Sequence, residues 1–182
     1  MNKALLLDRD GVVNCDYGYV HRIDDFDFVD GIFKLTELAQ QLGYLIFIIT
    51  NQSGIARGLY TEKQFLKLQK WVSEQFQQRG VRIAKTYYCP HHPTEGSVSY
   101  RTICSCRKPK PGMIVRAQQE FDLDLDRSIM IGDKLSDMKA AQQAGVGNRV
   151  LLSSNKSLHE SSDLYHFEIG ELDPAIIEEV SR

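Results

Sequence analysis

The sequence predicts an α/β protein with a doubly wound parallel sheet, and three observations support this prediction. Short apolar runs alternate with amphipathic, helix-like segments along most of the chain. The run at residues 44–50 is almost wholly apolar, which is typical of a parallel strand covered on both faces. Polar residues or glycine directly follow several of these runs. Alternation of this kind places helices on both faces of one sheet.

Five strands are predicted from apolar runs that end at polar residues or turns. They lie at residues 4–7, 44–50, 84–88, 128–131 and 149–152. Each run has a length that strands in compact domains commonly have.

Four helices are predicted from apolar residues that recur every three or four positions. They lie at residues 32–42, 61–80, 111–121 and 136–144. Gly43 and Gly145 follow the first and the last of them, as expected of C-terminal stops. Thr61 with Gln64 has the spacing of a capping box at the start of the second. Residues 153–162 are expected to form a polar surface loop, and 174–180 a short C-terminal helix.

Length and charge limit the classes of protein to consider. A chain of 182 residues is expected to form a single domain over residues 1–182, large enough to bury a core. The net charge of -2 disfavours a nucleic-acid or membrane surface, and no apolar stretch approaches the ~20 residues that cross a bilayer. The first strand starts at residue 4, so we expect no signal peptide and a cytoplasmic protein. No apolar interface pattern is evident, and we expect a monomer.

Polar side chains collect where the predicted strands end. They are Asp8 and Asp10 after the first strand, Thr50, Asn51, Gln52 and Ser53 at the end of the second, and Asp133 after the fourth, with Lys108 in a loop before a helix. Each alone also fits a turn or a helix cap. Parallel strands end at one edge of the sheet, where sites of such folds lie. The sequence therefore predicts one site that contains all of these groups.

The aspartate pair indicates a cation. Residues i and i+2 of an extended segment share a face, so the carboxylates of Asp8 and Asp10 leave the sheet together. Two such charges repel unless a proton or a cation is shared. Arg9 between them is expected to point to the opposite side and to be structural.

A second cluster, at about residues 89–108, indicates a zinc-binding loop insertion. Cys89 and His91 form one pair and Cys104 and Cys106 another, which together suit a closed, structural tetrahedral zinc site. His92 is the alternative to His91. A Cys89–Cys104 disulfide is the competing interpretation, which a reducing compartment disfavours.

The chain resembles the haloacid dehalogenase (HAD) superfamily of aspartate-nucleophile phosphatases. Four motifs in order support the resemblance: Asp8-x-Asp10-Gly11-Val12, Thr50 after an apolar strand, Lys108 before a helix, and Gly132-Asp133-x-x-x-Asp137. The resemblance implies a HAD-like Rossmannoid fold with Asp8 as nucleophile and Asp10 as general acid and base. It also implies a Mg²⁺ ion on Asp8, Asp133 and the Asp10 carbonyl. Thr50 and Lys108 would stabilise the phosphoryl oxygens.

Within that superfamily, the chain resembles the D-glycero-D-manno-heptose-1,7-bisphosphate 7-phosphatase family. Six parts of the sequence carry this resemblance: the segment 8–14, Gly18-Tyr19-Val20, the segment 50–58, both metal-ligand pairs, Cys106-Arg107-Lys108-Pro109 and Gly132-Asp133-Lys134. It implies no large cap domain and removal of the 7-phosphate on the way to ADP-heptose and the lipopolysaccharide core. It also implies a sugar-phosphate pocket lined by Asp16, Tyr17, Gly18, Tyr19, Thr50, Asn51, Gln52, Ser53, Arg107, Lys108 and Lys134. Arg107 would offer a planar fork to the second phosphate.

Three other functions are open on these residues. A histidinol-phosphate phosphatase has similar catalytic motifs and a similar zinc loop. A non-catalytic, zinc-stabilised binding module would keep the fold, although every reactive group is present. A nucleic-acid end phosphatase would need a basic groove. Asp137 is open between two roles, the orientation of Lys134 or a metal-bound water and a favourable charge at a helix N-terminus. The sequence does not specify which anomer is preferred.

Overall fold

One parallel sheet organises the computed structural model, which describes residues 1–153 and 163–180. The described residues form six strands in the order β3-β2-β1-β4-β5-β6, with every neighbouring pair parallel. The strands are β1 (Lys3–Leu7), β2 (Tyr44–Asn51), β3 (Ile83–Cys89), β4 (Ile129–Gly132), β5 (Asn148–Leu152) and β6 (Phe167–Ile169). The helices are α1 (Ile32–Gln41), α2 (Ser53–Ala56), α3 (Glu62–Gln77), α4 (Gly112–Phe121), α5 (Leu135–Ala144) and α6 (Ala175–Val180), with a 3-10 turn at Ile23–Asp25.

The alternation of side chains along β1 divides the core into two layers. Leu5 and Leu7 pack on one face with residues of α1, α3 and α6. Ala4 and Leu6 pack on the other face with residues of α4 and α5. Because both faces are covered, all four side chains are fully buried. The doubly wound α/β fold is therefore confirmed.

The strand order places the site. The chain runs outward from β1 to β2 and β3, and then returns to the other side of β1 as β4. In such sheets a crevice opens at this reversal, outside the carboxyl ends of the two strands. Leu7 pairs with Ile131, so Asp8 and Asp133 emerge next to each other.

The predicted elements agree with the structure to within a few residues, and two elements were missed. All five predicted strands are present with ends shifted by one residue or less. The capping box at Thr61 is present. The strand β6 and the single-turn helix α2 were not predicted. Nearly all of the expected polar loop at 153–162 lies outside the described residues.

Two long connections surround the carboxyl edge of the sheet. Residues 8–31 follow β1 and residues 90–111 follow β3. Within the described part of the chain, neither connection contains a cap domain, in agreement with the resemblance. Among the helices of residues 1–153 and 163–180, none combines the length and the apolar character that a membrane span requires.

Candidate active site

A buried lysine between two carboxylates forms the centre of the site. Lys108 Nζ lies 2.8 Å from Asp8 Oδ1 and 2.6 Å from Asp137 Oδ1, and it donates a hydrogen bond to the Ile49 carbonyl at 2.7 Å. Burial alone would lower the pKa of Lys108, but the Asp137 and Asp8 carboxylates outweigh burial and raise it. Lys108 is therefore held as an ammonium ion beside Asp8.

This geometry gives Asp137 a partner, Lys108, that neither of its two predicted roles involves. One carboxylate oxygen, Oδ1, pairs with Lys108. The other, Oδ2, accepts the backbone N–H of Lys134 at 3.0 Å, at the start of α5. Asp137 thus joins the first turn of the helix to the lysine of the site.

The acidic side chains beside Lys108 form a donor set for a divalent cation. Burial, and next the Asp137 carboxylate, raise the pKa of Asp8 to about 6, against the opposing effect of Lys108. Burial, with the Asp8 carboxylate adding to it, raises the pKa of Asp133 to about 6. Oxygens of Asp8, Asp133 and Asp137 lie within 4.8 Å of one another. Asp133 Oδ1 is buried without a hydrogen-bond partner among the described residues. Closely spaced hard oxygens of this kind fit Mg²⁺.

Gly11 allows the loop after β1 to approach Asp133 closely. Its φ is +94°, and a Cβ atom added there would lie 2.3 Å from Asp133 Oδ2. Glycine adopts this backbone conformation without strain and leaves room for the carboxylate. The Asp-x-Asp-Gly motif therefore needs its glycine so that the loop can approach the Asp133 carboxylate.

The Asp10 carboxylate is held by four hydrogen bonds. Arg9 donates from Nη2 to Oδ1 at 2.7 Å and from Nε to Oδ2 at 3.2 Å. Asn14 Nδ2 donates to Oδ1 at 3.2 Å, and Gln52 Nε2 donates to Oδ2 at 3.0 Å. The expectation that Arg9 points away from Asp10 is wrong, because β1 ends at Leu7 and the alternation of a strand does not continue into the turn.

The polar residues that end β2 are bonded to other residues of the site. Gln52 Nε2 donates to Thr50 Oγ1 at 2.8 Å, and Gln52 Oε1 accepts the Tyr60 hydroxyl at 2.6 Å. Asn51 Oδ1 accepts the Lys108 backbone N–H at 3.0 Å, and Asn51 Nδ2 donates to the Lys108 carbonyl at 3.1 Å. Both side-chain amides thus hold neighbouring parts of the site in place.

A cavity of about 190 Å³ opens beside Asp10. It is lined by Asp10, Asp16, Gly18, Tyr19, Asn51, Gln52, Ser53, Tyr60 and Lys134. Lys134 Nζ lies on its rim, 3.1 Å from Asp16 Oδ2 and 3.4 Å from Asp133 Oδ2. A larger cavity of about 300 Å³ near His21 is lined by none of the carboxylates of the site. The smaller cavity is thus the one of the two that adjoins the reactive groups.

Four residues predicted to contact the substrate do not line this cavity, namely Tyr17, Thr50, Arg107 and Lys108. Thr50 and Lys108 are buried. Tyr17 is 64% exposed, and its hydroxyl donates to Asp27 Oδ2 at 2.9 Å. Arg107 donates from Nη1 to the His91 carbonyl at 3.2 Å and lines a separate hollow with Pro93. Lys108 lines that same hollow, while its ammonium group pairs with Asp8.

The four predicted zinc ligands converge on one point. The Cys106 sulfur lies 3.1 Å from that of Cys89 and 3.3 Å from that of Cys104, and 3.4 Å from His91 Nδ1. Tetrahedral zinc with bonds of about 2.3 Å would hold thiolates roughly 3.8 Å apart, somewhat farther than the sulfur separations of 3.1 and 3.3 Å here. The cysteines are free, so the structure contains no disulfide between them. The donor set fits a closed metal site.

His92 is turned away from this cluster. Its Nδ1 accepts the backbone N–H groups of Thr94 and Glu95 at 3.3 and 3.0 Å. Of the two histidines, His91 is the one whose ring nitrogen faces the sulfur atoms.

The Cys/His loop packs directly on α2. Arg57, which follows α2, pairs with Glu95 of the loop. The Ser97 backbone N–H donates to the Ala56 carbonyl at 3.0 Å. Gly96 has a φ of +96°, and a Cβ atom there would lie 2.0 Å from the Ala56 carbonyl oxygen. The loop and the helix that carries Ser53 are therefore in close contact.

Three residues of the site were missed in the sequence, namely Arg9, Asn14 and Tyr60. Arg9 had a usable signal, because an arginine inside a buried segment needs a charged partner and two aspartates flank it. Asn14 and Tyr60 had none. Their contacts to Asp10 and Gln52 depend on how the turn after β1 and the segment after α2 fold over the site.

Comparisons with known proteins agree with this geometry. A family described as HAD-hydrolase-like matches residues 105–169. The D-glycero-beta-D-manno-heptose-1,7-bisphosphate 7-phosphatase of Photorhabdus laumondii is 47% identical over 88% of this chain and 85% of its own length. The protein of the same name from Vibrio cholerae is 46% identical over 88% of this chain and 86% of its own length. A D,D-heptose 1,7-bisphosphate phosphatase of B. bronchiseptica, solved with magnesium and phosphate, has a TM-score of 0.82 and 30% identity over 98% of this chain and 97% of its own.

Fold, site and comparisons together define an enzyme, a phosphoric monoester hydrolase of the HAD superfamily. Identity this high over most of both chains narrows the assignment within that class. The chain belongs to the D-glycero-beta-D-manno-heptose-1,7-bisphosphate 7-phosphatase family.

Proposed function

We propose that the chain removes the 7-phosphate of D-glycero-β-D-manno-heptose 1,7-bisphosphate and leaves the 1-phosphate in place for ADP-heptose and lipopolysaccharide core synthesis. The observation that carries the proposal is the pairing of Asp8 with Lys108 at the carboxyl edge, beside a polar cavity. The names of the relatives support the substrate, and they also support the β anomer, which the sequence patterns leave open.

In this proposal Asp8 and Asp10 share the chemistry in two steps. An Asp8 oxygen attacks phosphorus, the bond from phosphorus to the sugar oxygen breaks, and Asp10 gives that oxygen a proton. A water molecule then attacks phosphorus and gives a proton to Asp10, the bond from phosphorus to the Asp8 oxygen breaks, and inorganic phosphate leaves with the Asp8 carboxylate regenerated. The Lys108 ammonium ion and the Thr50 hydroxyl stabilise the phosphoryl oxygens during both steps.

A magnesium ion would be held by the carboxylates of Asp8 and Asp133 and by the Asp10 carbonyl. When bound, it neutralises charge that develops on the phosphoryl oxygens. Support comes from the unpaired, buried Asp133 Oδ1 and from the magnesium named with the B. bronchiseptica enzyme. The positions of the Asp8 and Asp133 carboxylates would determine where the positive charge of the ion lies.

A zinc ion would be held by Cys89, His91, Cys104 and Cys106. Because all four ligands come from the protein, we assign it a structural role. Its site would order the loop that packs on α2 and, through the His91 carbonyl, would help to hold Arg107 in place.

The sugar would bind in the cavity beside Asp10. Asp16, Gly18, Tyr19, Ser53 and Lys134 line that cavity and present groups for its hydroxyls. We retain Tyr17 and Arg107 as contacts at the periphery, with Arg107 facing the distant second phosphate.

A substrate panel tests the proposal. We expect kcat/KM for the β-anomer of the heptose bisphosphate to exceed that for the α-anomer, and to exceed that for histidinol phosphate by roughly 100-fold or more. Asp8→Asn should release no phosphate while keeping its circular dichroism spectrum, whereas Asp24→Asn, an exposed control, should match the unmodified enzyme. A higher kcat/KM for histidinol phosphate would contradict the substrate, and an active Asp8→Asn would contradict the nucleophile.

We further propose that the enzyme is a cytoplasmic monomer without nucleic-acid or membrane partners, folded as a single domain over residues 1–182. Free cysteines that converge as metal ligands suit a reducing compartment. Light scattering coupled to size exclusion would give a mass near 20.8 kDa for a monomer.

A further inference from the structure

Gln52 occupies an unusual position between the two halves of the catalytic machinery. Its side chain is 2% exposed. One nitrogen, Nε2, lies 3.0 Å from Asp10 Oδ2 and 2.8 Å from Thr50 Oγ1. Its oxygen, Oε1, lies 2.6 Å from the Tyr60 hydroxyl. The amide therefore uses its polar atoms on protein groups, although it also forms part of the cavity wall.

Chemistry fixes which way this amide points. Asp10 Oδ2 accepts a hydrogen bond from Arg9 Nε at 3.2 Å, so the Gln52 group that faces the same oxygen at 3.0 Å is the –NH₂ donor. The carbonyl oxygen then faces Tyr60, whose hydroxyl must donate. Burial raises the pKa of Tyr60 to about 12, so this hydroxyl keeps its proton at neutral pH.

The same orientation determines what Thr50 can do. The second hydrogen of the Gln52 –NH₂ is donated to Thr50 Oγ1, which thereby acts as an acceptor. A hydroxyl that accepts from one side still has its own hydrogen to donate. The Thr50 hydrogen is thus left for a phosphoryl oxygen, which can only accept.

We propose that Gln52 is a positioning residue that aligns two groups at the same time, the general acid Asp10 and the Thr50 hydroxyl that donates to the phosphoryl group. Tyr60 holds Gln52 in the required orientation. Gln52 holds Asp10 toward the leaving oxygen and turns Thr50 into a donor toward the phosphoryl group. This inference rests on the proposed phosphatase function, but it does not depend on which sugar phosphate is the substrate.

Tyr60 is well placed to act as the lock. It is 4% exposed, and its ring stacks on that of His21 at a centroid distance of 4.8 Å and an interplanar angle of 9°. Tyr60→Phe removes the single hydroxyl and keeps the ring that fills this space. The variant therefore frees the Gln52 carbonyl without opening a cavity.

Three variants test the proposal. Gln52→Leu removes the amide, and Tyr60→Phe removes only its lock. Gln69→Leu is the matched control. Gln69 on α3 is also a buried glutamine, 5% exposed, and it donates to the hydroxyl of Thr86 on β3 at 3.3 Å. It does not line the cavity beside Asp10. Thermal unfolding of all three separates loss of fold from loss of alignment.

The readout is the ratio of kcat/KM on two phosphate monoesters. The heptose bisphosphate carries an alkyl leaving group that needs a proton, whereas the nitrophenolate of p-nitrophenyl phosphate leaves without one. We expect Gln52→Leu to lower kcat/KM about 100-fold on the sugar and about 10-fold on the aryl ester, the smaller loss reflecting Thr50 alone. Tyr60→Phe should also lose more kcat/KM on the sugar than on the aryl ester, with losses of roughly 3- to 10-fold on the sugar. Gln69→Leu should leave the ratio of the two kcat/KM values unchanged.

Two results would overturn the proposal. If Gln52→Leu raises KM with kcat unchanged, Gln52 binds substrate instead of positioning catalytic groups. Equal losses on the two esters, or a Tyr60→Phe enzyme as active as the unmodified one, would exclude alignment of Asp10. Failure of the proposed substrate would appear earlier, as weak turnover of the heptose bisphosphate by the unmodified enzyme. The ratio is then measured with another sugar phosphate and is still decisive.

Discussion

The side chain of Lys108 shows how individual residues divide the work of the site. Its ammonium group has two carboxylate partners, Asp8 and Asp137, and its backbone is held on both sides by the Asn51 amide. A buried lysine without such partners would lose its charge readily. With them it is kept charged and in place, as its proposed role at the phosphoryl oxygens requires.

Asp137 is predicted to contribute to catalysis through Lys108. In Asp137→Asn the lysine loses the charge of one of its two partners, so its ammonium group is free to move from the position beside Asp8. We expect kcat on the heptose bisphosphate to fall about 10- to 100-fold. Steady-state kinetics measure this effect.

Glu120→Gln is the control for this prediction. Glu120 also pairs with a lysine, Lys85, but the pair lies on the surface away from the site. The control should leave kcat unchanged. A kcat for Asp137→Asn equal to that of the control would show that Lys108 needs only Asp8.

At this scale the sequence identifies residues better than it identifies contacts. Asp8, Asp10 and Asp133 could be predicted because strands of a parallel sheet end at one edge. The partner of Asp137 could not, since neither helix position nor charge pattern indicates that a lysine from another loop reaches it. The same holds for Tyr60, whose hydroxyl meets Gln52 only after the chain has folded over α2.

At the scale of secondary structure, two segments that pack on each other, α2 and the Cys/His loop, form one side of the site. The short helix α2 carries Ser53 and follows Gln52 directly, and the Cys/His loop rests on its far end through Ala56 and Arg57. A metal that orders this loop would therefore also stabilise the position of α2. The stability of the loop is thus linked, through α2, to that of the cavity beside Asp10, which Ser53 lines.

One zinc ion per chain is predicted for enzyme purified without a chelator. Cys106→Ser removes a ligand whose sulfur contacts the other three ligand atoms, so this variant should lose the metal and unfold at a lower temperature. Metal analysis and thermal unfolding measure both effects. Cys15→Ser is the matched control, because Cys15 lies outside the cluster, and it should retain zinc.

Two findings would contradict the zinc assignment. One is enzyme that contains no zinc while its Cys89–Cys104 pair is oxidised to a disulfide. The other is a Cys106→Ser variant that binds zinc as well as the Cys15→Ser control does.

Element boundaries show what periodicity reveals and what it misses. The apolar run of β2 and the capping box of α3 are strong local signals, and both agree with the structure. The strand β6, Phe167–Ile169, is too short to show a period and is placed by its pairing with β5. The helix α2 has one turn, which is too short to show a helical period, and it lies against Tyr60 and the Cys/His loop.

The molecule as a whole concentrates negative charge at one edge of the sheet. Burial raises the pKa of Asp8 and of Asp133 to about 6 from ordinary values of 3.8. Between about pH 4 and pH 6 the folded state therefore binds more protons at these sites than the unfolded state does. These two groups accordingly make the metal-free protein less stable as the pH rises through that range.

Magnesium is predicted to stabilise the protein more at pH 7.5 than at pH 5. At the higher pH both carboxylates are ionised and available as ligands, whereas protons compete for them at pH 5. The Mg²⁺ concentration is held at 100 times the dissociation constant that applies at pH 7.5. It should then raise the melting temperature by about 5–10 °C at pH 7.5 and by clearly less at pH 5. Differential scanning calorimetry with and without Mg²⁺ gives each increment as a difference, which cancels the titration of other groups.

The control for this prediction is Asp133→Asn, which removes one ligand. Its magnesium-dependent increment should be small at both pH values. An increment in the unmodified enzyme that is equal at pH 5 and pH 7.5 would show that these carboxylates are not the ligands.

The fate of the two phosphates of the heptose bisphosphate tests the central claim most directly. We predict that ³¹P spectra of the reaction lose the resonance of the ester at carbon 7, gain that of inorganic phosphate, and keep the anomeric phosphate resonance unchanged. With Asp8→Asn, all of these resonances should stay as they are in the unreacted substrate. Loss of the anomeric phosphate first, or no phosphate release in the presence of Mg²⁺, would contradict the account.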